Sequence, residues 1–560
     1  MRVAERLRPL ARSEPWIVLA PLVVAQWIAV AVFGLTVQRN GWLYYQGGDQ
    51  TWFYTSGWIL SGGEVPETLV GYVWALVQMP IAALAGPNLL AGLPAIVLLQ
   101  FLVLLPLGLL LVYGIASRVV GRRLGYAAAV MWIALPYVAT ILFVDRYHER
   151  YVEQVVPQTL GLTALADFPS MIGLLAAAYF FVRALDSRAR ADVVACGLAT
   201  GLAIGIKPSN GLFVLAPLVG FAAARRWRES LAFAVALAPG LLTLALWKYK
   251  GSGIALFAND ALRLAAADAP DYGPPTFLER VRQYVPLDRH QLNQQFLGLR
   301  EFFWSARMLE FSVVAGVIGA LRRSVAHAAF LATWLGAFFL VKGSSPAVTI
   351  ESGSFWRLLM PAFPAFFILL AAIPLLTPVF GGRFLGQLPA APRPLAWRRP
   401  VVLVILVLVF VVPFVALAAL PSADDPPAAK VPLRSLYLPL DGSFRPTVNP
   451  VQGGVQVSWP AYRGSHAGTF YIVYRAPFEY TFETTGLTVS QGLMCADAGS
   501  RATRCSLEME EVGRGRNLSF FDRVGRGTWT YRVAVAANWL DDPDQGDAFV
   551  VSGSLNVRVA

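Results

Sequence analysis

Charge is what this chain lacks. Asp, Glu, Lys and Arg make up 14% of its 560 residues, and mean hydropathy is +0.55. Soluble domains are normally about a quarter charged, so a chain built only of such domains is excluded. Cysteine and histidine are scarce too, at three and four residues. No Cys/His metal spacing, no P-loop and no Gly-x-Ser-x-Gly occurs. The glycines of Gly47-Gly48-Asp49 stand in no Gly-x-Gly-x-x-Gly frame, which argues against a nucleotide-sugar Rossmann domain. The net charge of +12 does not point to nucleic acid. Its arginines fall mainly in short turns between apolar runs, where they set membrane orientation.

What the chain has is long apolar runs. They lie at about 16–37, 92–116, 124–143, 168–185, 192–206, 210–224, 229–247, 308–321, 325–342, 358–378 and 400–420. A span needs about 20 apolar residues, so the short runs 192–206, 210–224 and 308–321 are expected to be inner or broken helices. The first run follows Arg2, Arg6, Arg8 and Arg12. It is too long for a signal-peptide core and lacks an Ala-x-Ala end, so it reads as a retained signal anchor with the N-terminus cytoplasmic.

If all eleven runs cross once, the basic turns share one side. They are Arg118/Arg122/Arg123, Arg183/Arg188/Arg190, Arg225/Arg226/Arg228, Arg322/Arg323 and Arg383 to Arg399. The apolar stretch from Leu69 to Gly86 would flip every later turn if it crossed. It is therefore expected to lie along, or dip into, the outer surface. The extracytoplasmic side then holds loops 38–91, 144–167, 248–307 and 343–357, and the tail. Large loops on one face suit an enzyme working there.

The tail changes character at Pro421, opening a linker over 421–432 and a region 433–560 with alternating patterns. Val455 to Trp459, Thr469 to Tyr474, Thr528 to Val535 and Phe549 to Ser552 read as strands of a β-sandwich. Cys196 reads as inert filler. Cys495 and Cys505 flank a polar stretch in a tail placed outside, which favours a disulfide over two free thiols.

Five places could carry chemistry. Asp49 sits behind two glycines among Trp42, Tyr44, Tyr45 and Trp52, just past the first run. Asp145, Arg146, His148 and Glu149 open the second outer loop, or else form a solvated surface helix with charge pairs. Asp167 ends that loop; locally it explains itself as a helix cap, with Pro169 in the first turn. Lys207 precedes Pro208 between two short runs, where a cation and free backbone N–H groups make an anion site. Its alternative is a snorkelling lysine. Arg357 enters a membrane end behind Trp356, as a bidentate phosphate holder or an interfacial anchor.

Taken in order, these segments resemble the GT-C superfamily of integral membrane glycosyltransferases. The resemblance runs over most of residues 1–420. It rests on Gly48-Asp49-Gln50-Thr51-Trp52-Phe53-Tyr54, the basic turn Ser117 to Arg123, the Asp167-x-Pro169 start, Gly201 to Pro208, and Arg357-Leu358-Leu359-Met360-Pro361. Several relatives carry an Asp-Glu pair where this chain has Asp49 alone, and loop 248–307 has no counterpart. The Val457-Ser458-Trp459 and Thr528 to Val533 strands resemble the fibronectin type III pattern.

The resemblance implies a fold of about eleven transmembrane helices with a C-terminal all-β sandwich. It implies inverting transfer of a sugar from a polyprenyl-phosphate donor to a glycan, lipid or protein acceptor of the cell envelope. Asp49 would be the general base. Lys207, Arg357, Arg146 and His148 would bind the donor phosphate. Asp167, Asp145 and Glu149 would orient the acceptor or a divalent cation, the only cofactor suggested. The alternatives are a flippase for a lipid-linked glycan and a non-catalytic envelope assembly protein.

Overall fold

All eleven apolar runs are helical. The computed structural model describes residues 15–37, 49–66, 70–86, 89–143, 156–252, 285, 287–302, 306–345, 354–392, 400–423, 436–438, 441–463, 465, 469–477, 487–490, 493–495, 508–537 and 547–560. Among these, seven helices are long and apolar enough to cross a membrane: Pro15–Phe33, Gly92–Val120, Asp167–Ser187, Trp227–Gly251, Val325–Gly343, Phe355–Leu376 and Pro400–Ala419. Arg122–Phe143 and Arg190–Ile206 are also helical. The remaining runs lie in the shorter helices Pro208–Ala223 and Glu310–Leu321. The chain is a polytopic helical membrane protein followed by a β-rich region.

Lipid gives helices no hydrophobic reason to associate, so close backbone packing must do so. Gly201 and Gly240 supply it. A Cβ on Gly240 would stand 2.5 Å from the Gly201 carbonyl carbon. Gly316 and Gly319 do the same against Phe355–Leu376, where added Cβ atoms would meet the Leu369 and Ala372 oxygens at 2.3 and 2.2 Å. The Pro400–Ala419 helix lies at the periphery; only 6% of it is buried.

The basic turns gather at one end of the bundle. Asp186 bridges Arg118 at 3.2 Å and Arg323 at 2.8 Å. Arg183 pairs with Asp192 at 3.1 Å, and Arg226 donates to the Ala184 carbonyl at 2.8 Å. At the other end the expected outer segments meet. Val65 pairs with Ser422 in a parallel bridge, and Lys250 donates to the Ala418 and Leu420 carbonyls. The helix Tyr72–Ala85 has 14 residues, too few to cross. It packs along Asp49–Ser61, at the place expected for a non-crossing element.

Ahead of Asp167–Ser187 the described segment Val156–Ala166 has one helical turn, Pro157–Leu160, and is otherwise irregular. Every residue from Val156 to Ala166 is buried. Non-helical backbone at membrane depth survives only if protein groups satisfy it. Here glutamine and tryptophan side chains do so. Gln158 Nε2 donates to Trp132 O at 2.8 Å, Trp74 Nε1 and Gln78 Nε2 donate to Ala164 O at 2.8 and 3.0 Å, and Gln50 Oε1 accepts from Ala164 N at 3.0 Å. Gln100 donates to Thr163 O from the first residue of a π-turn, Gln100–Leu104, inside the Leu89–Val120 helix.

The tail forms two sheets. Strands β2 (Thr447–Val451), β3 (Gly454–Ser458) and β8 (Ser519–Asp522) make one, in the order β2-β3-β8. The larger runs β1-β5-β6-β7-β4-β9-β10, with β11 also on β9. Its centre is β4 (Thr469–Ala476) and β9 (Gly527–Ala537), flanked by β7 (Glu508–Gly515), β10 (Asp547–Val551) and β11 (Leu555–Val559). The remaining strands are β1 (Leu436–Leu438), β5 (Leu487–Ser490) and β6 (Leu493–Cys495). Trp459, Tyr471, Val457, Val533 and Val535 share one core. Tyr531 Oη donates to Asp522 at 2.8 Å, across from β9 to β8.

The expectation of a simple apolar/polar alternation needs correction for β4. Phe470, Ile472 and Tyr474, on its other face, are also buried, in a second cluster with Met509, Ala534 and Val551. The Cys505 side of the expected disulfide lies outside the described residues, as does the Cys495 side chain.

Candidate functional site

Pro208 creates the first half of the site. Its ring bars the preceding residue from helical dihedrals, and Lys207 adopts φ −139°, ψ 109°. The Arg190–Ile206 helix ends there. Asn210 Nδ2 closes the turn on Ala203 O at 2.8 Å. Lys207 is thereby held at the helix end, 18% exposed.

The second half comes from Asp167 and Arg357. Asp167 begins its helix, but Ala166 occupies the cap position, and no side chain caps this end. The capping role anticipated for Asp167 is therefore corrected. Its carboxylate, 2% exposed, accepts from Lys207 Nζ on Oδ1 and from Arg357 Nε and Nη2 on Oδ2 at 3.1 and 3.0 Å. A carboxylate so deep in an apolar bundle is costly alone and stable when paired. Arg357 is delivered by the short helix Ser354–Leu359, where Trp334 Nε1 anchors the following Pro361 carbonyl at 3.0 Å.

So three residues singled out separately, from three distant parts of the chain, form one cluster. Lys207 and Arg357 are not two free anion sites; Asp167 sits between them. Two expected roles, donor holding and acceptor orientation, fall on adjacent atoms. Asp49 starts the Asp49–Ser61 helix, and its side chain lies outside the described residues. Asp145, Arg146, His148 and Glu149 also lie outside them. No group of three or more His, Cys, Asp or Glu converges among the described residues.

Sequence reading missed Lys342. It lies in the last turn of Val325–Gly343, within electrostatic reach of Lys207, and no carboxylate pairs with it among the described residues. Lys342 thus stands beside Lys207, while Lys207 and Arg357 hold the Asp167 carboxylate. The available signal was a lysine at the end of an apolar run, the pattern already noted for Lys207. The bracing glutamines were missed as well. Gln26, Gln50, Gln78, Gln100 and Gln158 are each fully buried. Gln26 bridges Trp132 Nε1 at 3.0 Å and Leu105 O at 2.8 Å. Their signal was a lone amide within or beside an apolar run.

Comparison with known proteins bears on this region. Residues 153–248 match the family model described as dolichyl-phosphate-mannose-protein mannosyltransferase. That stretch contains Asp167 and Lys207. No curated protein matches the chain. Among solved structures, ArnT from Cupriavidus metallidurans, bound to undecaprenyl phosphate, is 17% identical with a TM-score of 0.41, covering 65% of this chain and 61% of ArnT. The Archaeoglobus fulgidus oligosaccharyltransferase in complex with Zn and sulfate is 16% identical with a TM-score of 0.40, covering 72% of this chain and 54% of that one. The archaeal oligosaccharyltransferase AglB from the same organism, in complex with an inhibitory peptide and a dolichol-phosphate, is 14% identical with a TM-score of 0.40. Coverage there is 73% of this chain and 56% of AglB. The chain therefore spans less than two thirds of each relative.

Proposed function

We propose that this protein is a glycosyltransferase that moves a sugar from a polyprenyl-phosphate donor to a cell-envelope glycan, lipid or protein acceptor. One observation carries the reading: Lys207 and Arg357 converge on the buried carboxylate of Asp167 at the membrane end of their helices, with Lys342 within electrostatic reach of Lys207. Cationic side chains held at the end of an apolar bundle suit a phosphate delivered by a lipid chain, which matches both their charge and their depth. The match of residues 153–248 to the mannosyltransferase family supports the same class.

In this mechanism an acceptor oxygen attacks the anomeric carbon as the carbon–oxygen bond to phosphate breaks. The electron pair leaves with the phosphate, whose growing charge Lys207, Arg357 and Lys342 stabilise. Asp49 takes the acceptor proton, a contribution typically worth about 10²–10⁴-fold. Arg146 and His148 assist the phosphate. Asp145, Glu149 and Asp167 orient the acceptor or a divalent cation. Single displacement inverts the anomeric centre.

The site faces the extracytoplasmic side in this reading, with the N-terminus cytoplasmic, because the arginine-rich turns occupy the opposite end of the bundle. After the linker 421–432, residues 433–560 form a fibronectin type III-like domain on the same face in this reading. The β2-β3-β8 and β7-β4-β9 orders and the Tyr531–Asp522 pin support that assignment. The test is transfer of label from radiolabelled polyprenyl-phosphate sugars to an envelope extract by detergent-purified protein. Wild type should transfer, Asp49→Asn should not, and Lys342→Met should bind donor less tightly. Vesicle-sealed lipid movement without any transfer would replace this reading with the flippase.

A further inference from the structure

The peptide group of Ala164 is held entirely by side chains from elsewhere. Its N–H donates to Gln50 Oε1 at 3.0 Å, and its carbonyl accepts from Trp74 Nε1 at 2.8 Å and Gln78 Nε2 at 3.0 Å. All three side chains are buried. Ala164 lies three residues before Asp167, and Gln50 directly follows Asp49. The Gln50 bond is thus the shortest described link between the start of the Asp49 helix and the Asp167 cluster. Trp74 and Gln78 come from Tyr72–Ala85 and fix the same peptide from a different helix.

We infer that Gln50 is a positioning residue: its bond to Ala164 N sets the placement of Asp49 relative to Asp167, Lys207 and Arg357. The inference rests on the proposed role of Asp49. Two features favour position over mere stability. Gln50 spends its oxygen on one backbone N–H while its amide nitrogen has no partner among the described residues. And it sits in the first turn of a helix whose opening residue is Asp49, so loss of the bond frees that turn first. A misplacement of about 1 Å in a reacting constellation can cost about 10²-fold in rate.

The experiment compares Gln50→Met, Gln78→Met, Gln50→Glu and Asp49→Asn in full-length, detergent-purified protein. Donor KM, kcat and the thermal midpoint are measured for each. Each methionine variant removes one bond to the same peptide; Gln78→Met leaves the Ala164 carbonyl on Trp74 while Gln50→Met orphans the N–H, so both midpoints should fall and that of Gln50→Met further. Only Gln50→Met should lower kcat, by about 10–100-fold, with donor KM unchanged. Gln50→Glu retains an acceptor for Ala164 N and should recover part of that loss. Equal kcat in the two methionine variants, with Asp49→Asn inactive, overturns the positioning role and leaves the transferase reading intact. Full transfer by Asp49→Asn removes Asp49 as the base and the positioning role with it, and leaves the transferase reading intact; no transfer by wild type overturns the transferase reading itself.

Discussion

Asp167→Asn removes a charge and keeps the shape, leaving two cations that shared one carboxylate to face each other. Groups held on opposite oxygens of a carboxylate stand about 5 Å apart. At an effective dielectric of about 20 their repulsion is about 3 kcal/mol. Exposure decides how far that survives screening. Asp167 is 2% exposed, Lys207 18% and Arg357 23%, so the cluster is largely sheltered. Losing one partner of a buried pair typically costs about 3–5 kcal/mol, in line with this figure. Lys207→Met alone leaves Arg357 on the carboxylate and should cost about 1.5–3 kcal/mol, the worth of one charged hydrogen bond. The double variant has no facing cations. It should therefore be more stable than Asp167→Asn alone by about 3 kcal/mol. Denaturant unfolding of the detergent-solubilised protein, followed by tryptophan fluorescence, reads all four corners of the cycle. Penalties that simply add would refute the shared-carboxylate account.

Three further outcomes are expected. A Cβ on Gly71 would lie 2.2 Å from Gly205 O and 2.4 Å from Ile206 O, so Gly71→Ala must displace the chain leading into Lys207. It should cost about 1–3 kcal/mol in unfolding and weaken donor binding; an unchanged donor affinity would contradict the placement. In the tail, burial raises the Asp441 pKa, but hydrogen bonds from Ser443, Tyr462 and backbone N–H groups outweigh it and hold it below the ordinary carboxylate range. Its contribution is present above the unfolded carboxylate pKa and is lost as pH falls through the depressed folded value. Tyr462→Phe removes a 2.8 Å donor and raises the folded pKa, so the loss on acidification should be smaller and complete at a higher pH, read from thermal midpoints across the acid range. Identical midpoint profiles would show that Tyr462 does not set the shift. Lys250→Met frees the Ala418 and Leu420 carbonyls and should speed proteolytic nicking just beyond Ser422; an unchanged nicking rate would show the clasp to be passive.

The helices were legible because hydropathy in a bilayer is nearly a one-variable problem, and each long apolar run is helical. Charge parity gave the expectation that the 69–86 stretch does not cross, and the helix found there, Tyr72–Ala85, has 14 residues. The buried coil Val156–Ala166 was not, because its stability comes from amides on other elements, and no local pattern announces them. Lys207, Asp167 and Arg357 were each recognisable as charges at membrane ends. Their meeting was not, since 40 and 190 residues separate Asp167 from its two partners. Lys342 was passed over because a snorkelling lysine and a site lysine look alike in sequence. In the tail, Val455–Trp459 and Thr469–Tyr474 were visible as strands. The second buried face of β4 was not, because its apolar residues on both sides read as a stronger strand rather than as two cores.

The amide-braced coil has a consequence for how this chain can drift. In most helical membrane proteins a leucine facing lipid exchanges freely for isoleucine, valine or phenylalanine, and the polar letters carry the tolerated variation. Here that expectation inverts over one region. Gln50, Gln78, Gln100 and Gln158 hold backbone atoms that water cannot reach, and no apolar residue can replace their hydrogen bonds. A saturation-mutagenesis map would show four narrow columns of intolerance at glutamines set among permissive leucines. A sequence profile weighted by hydropathy would discount the positions on which the membrane-buried coil depends.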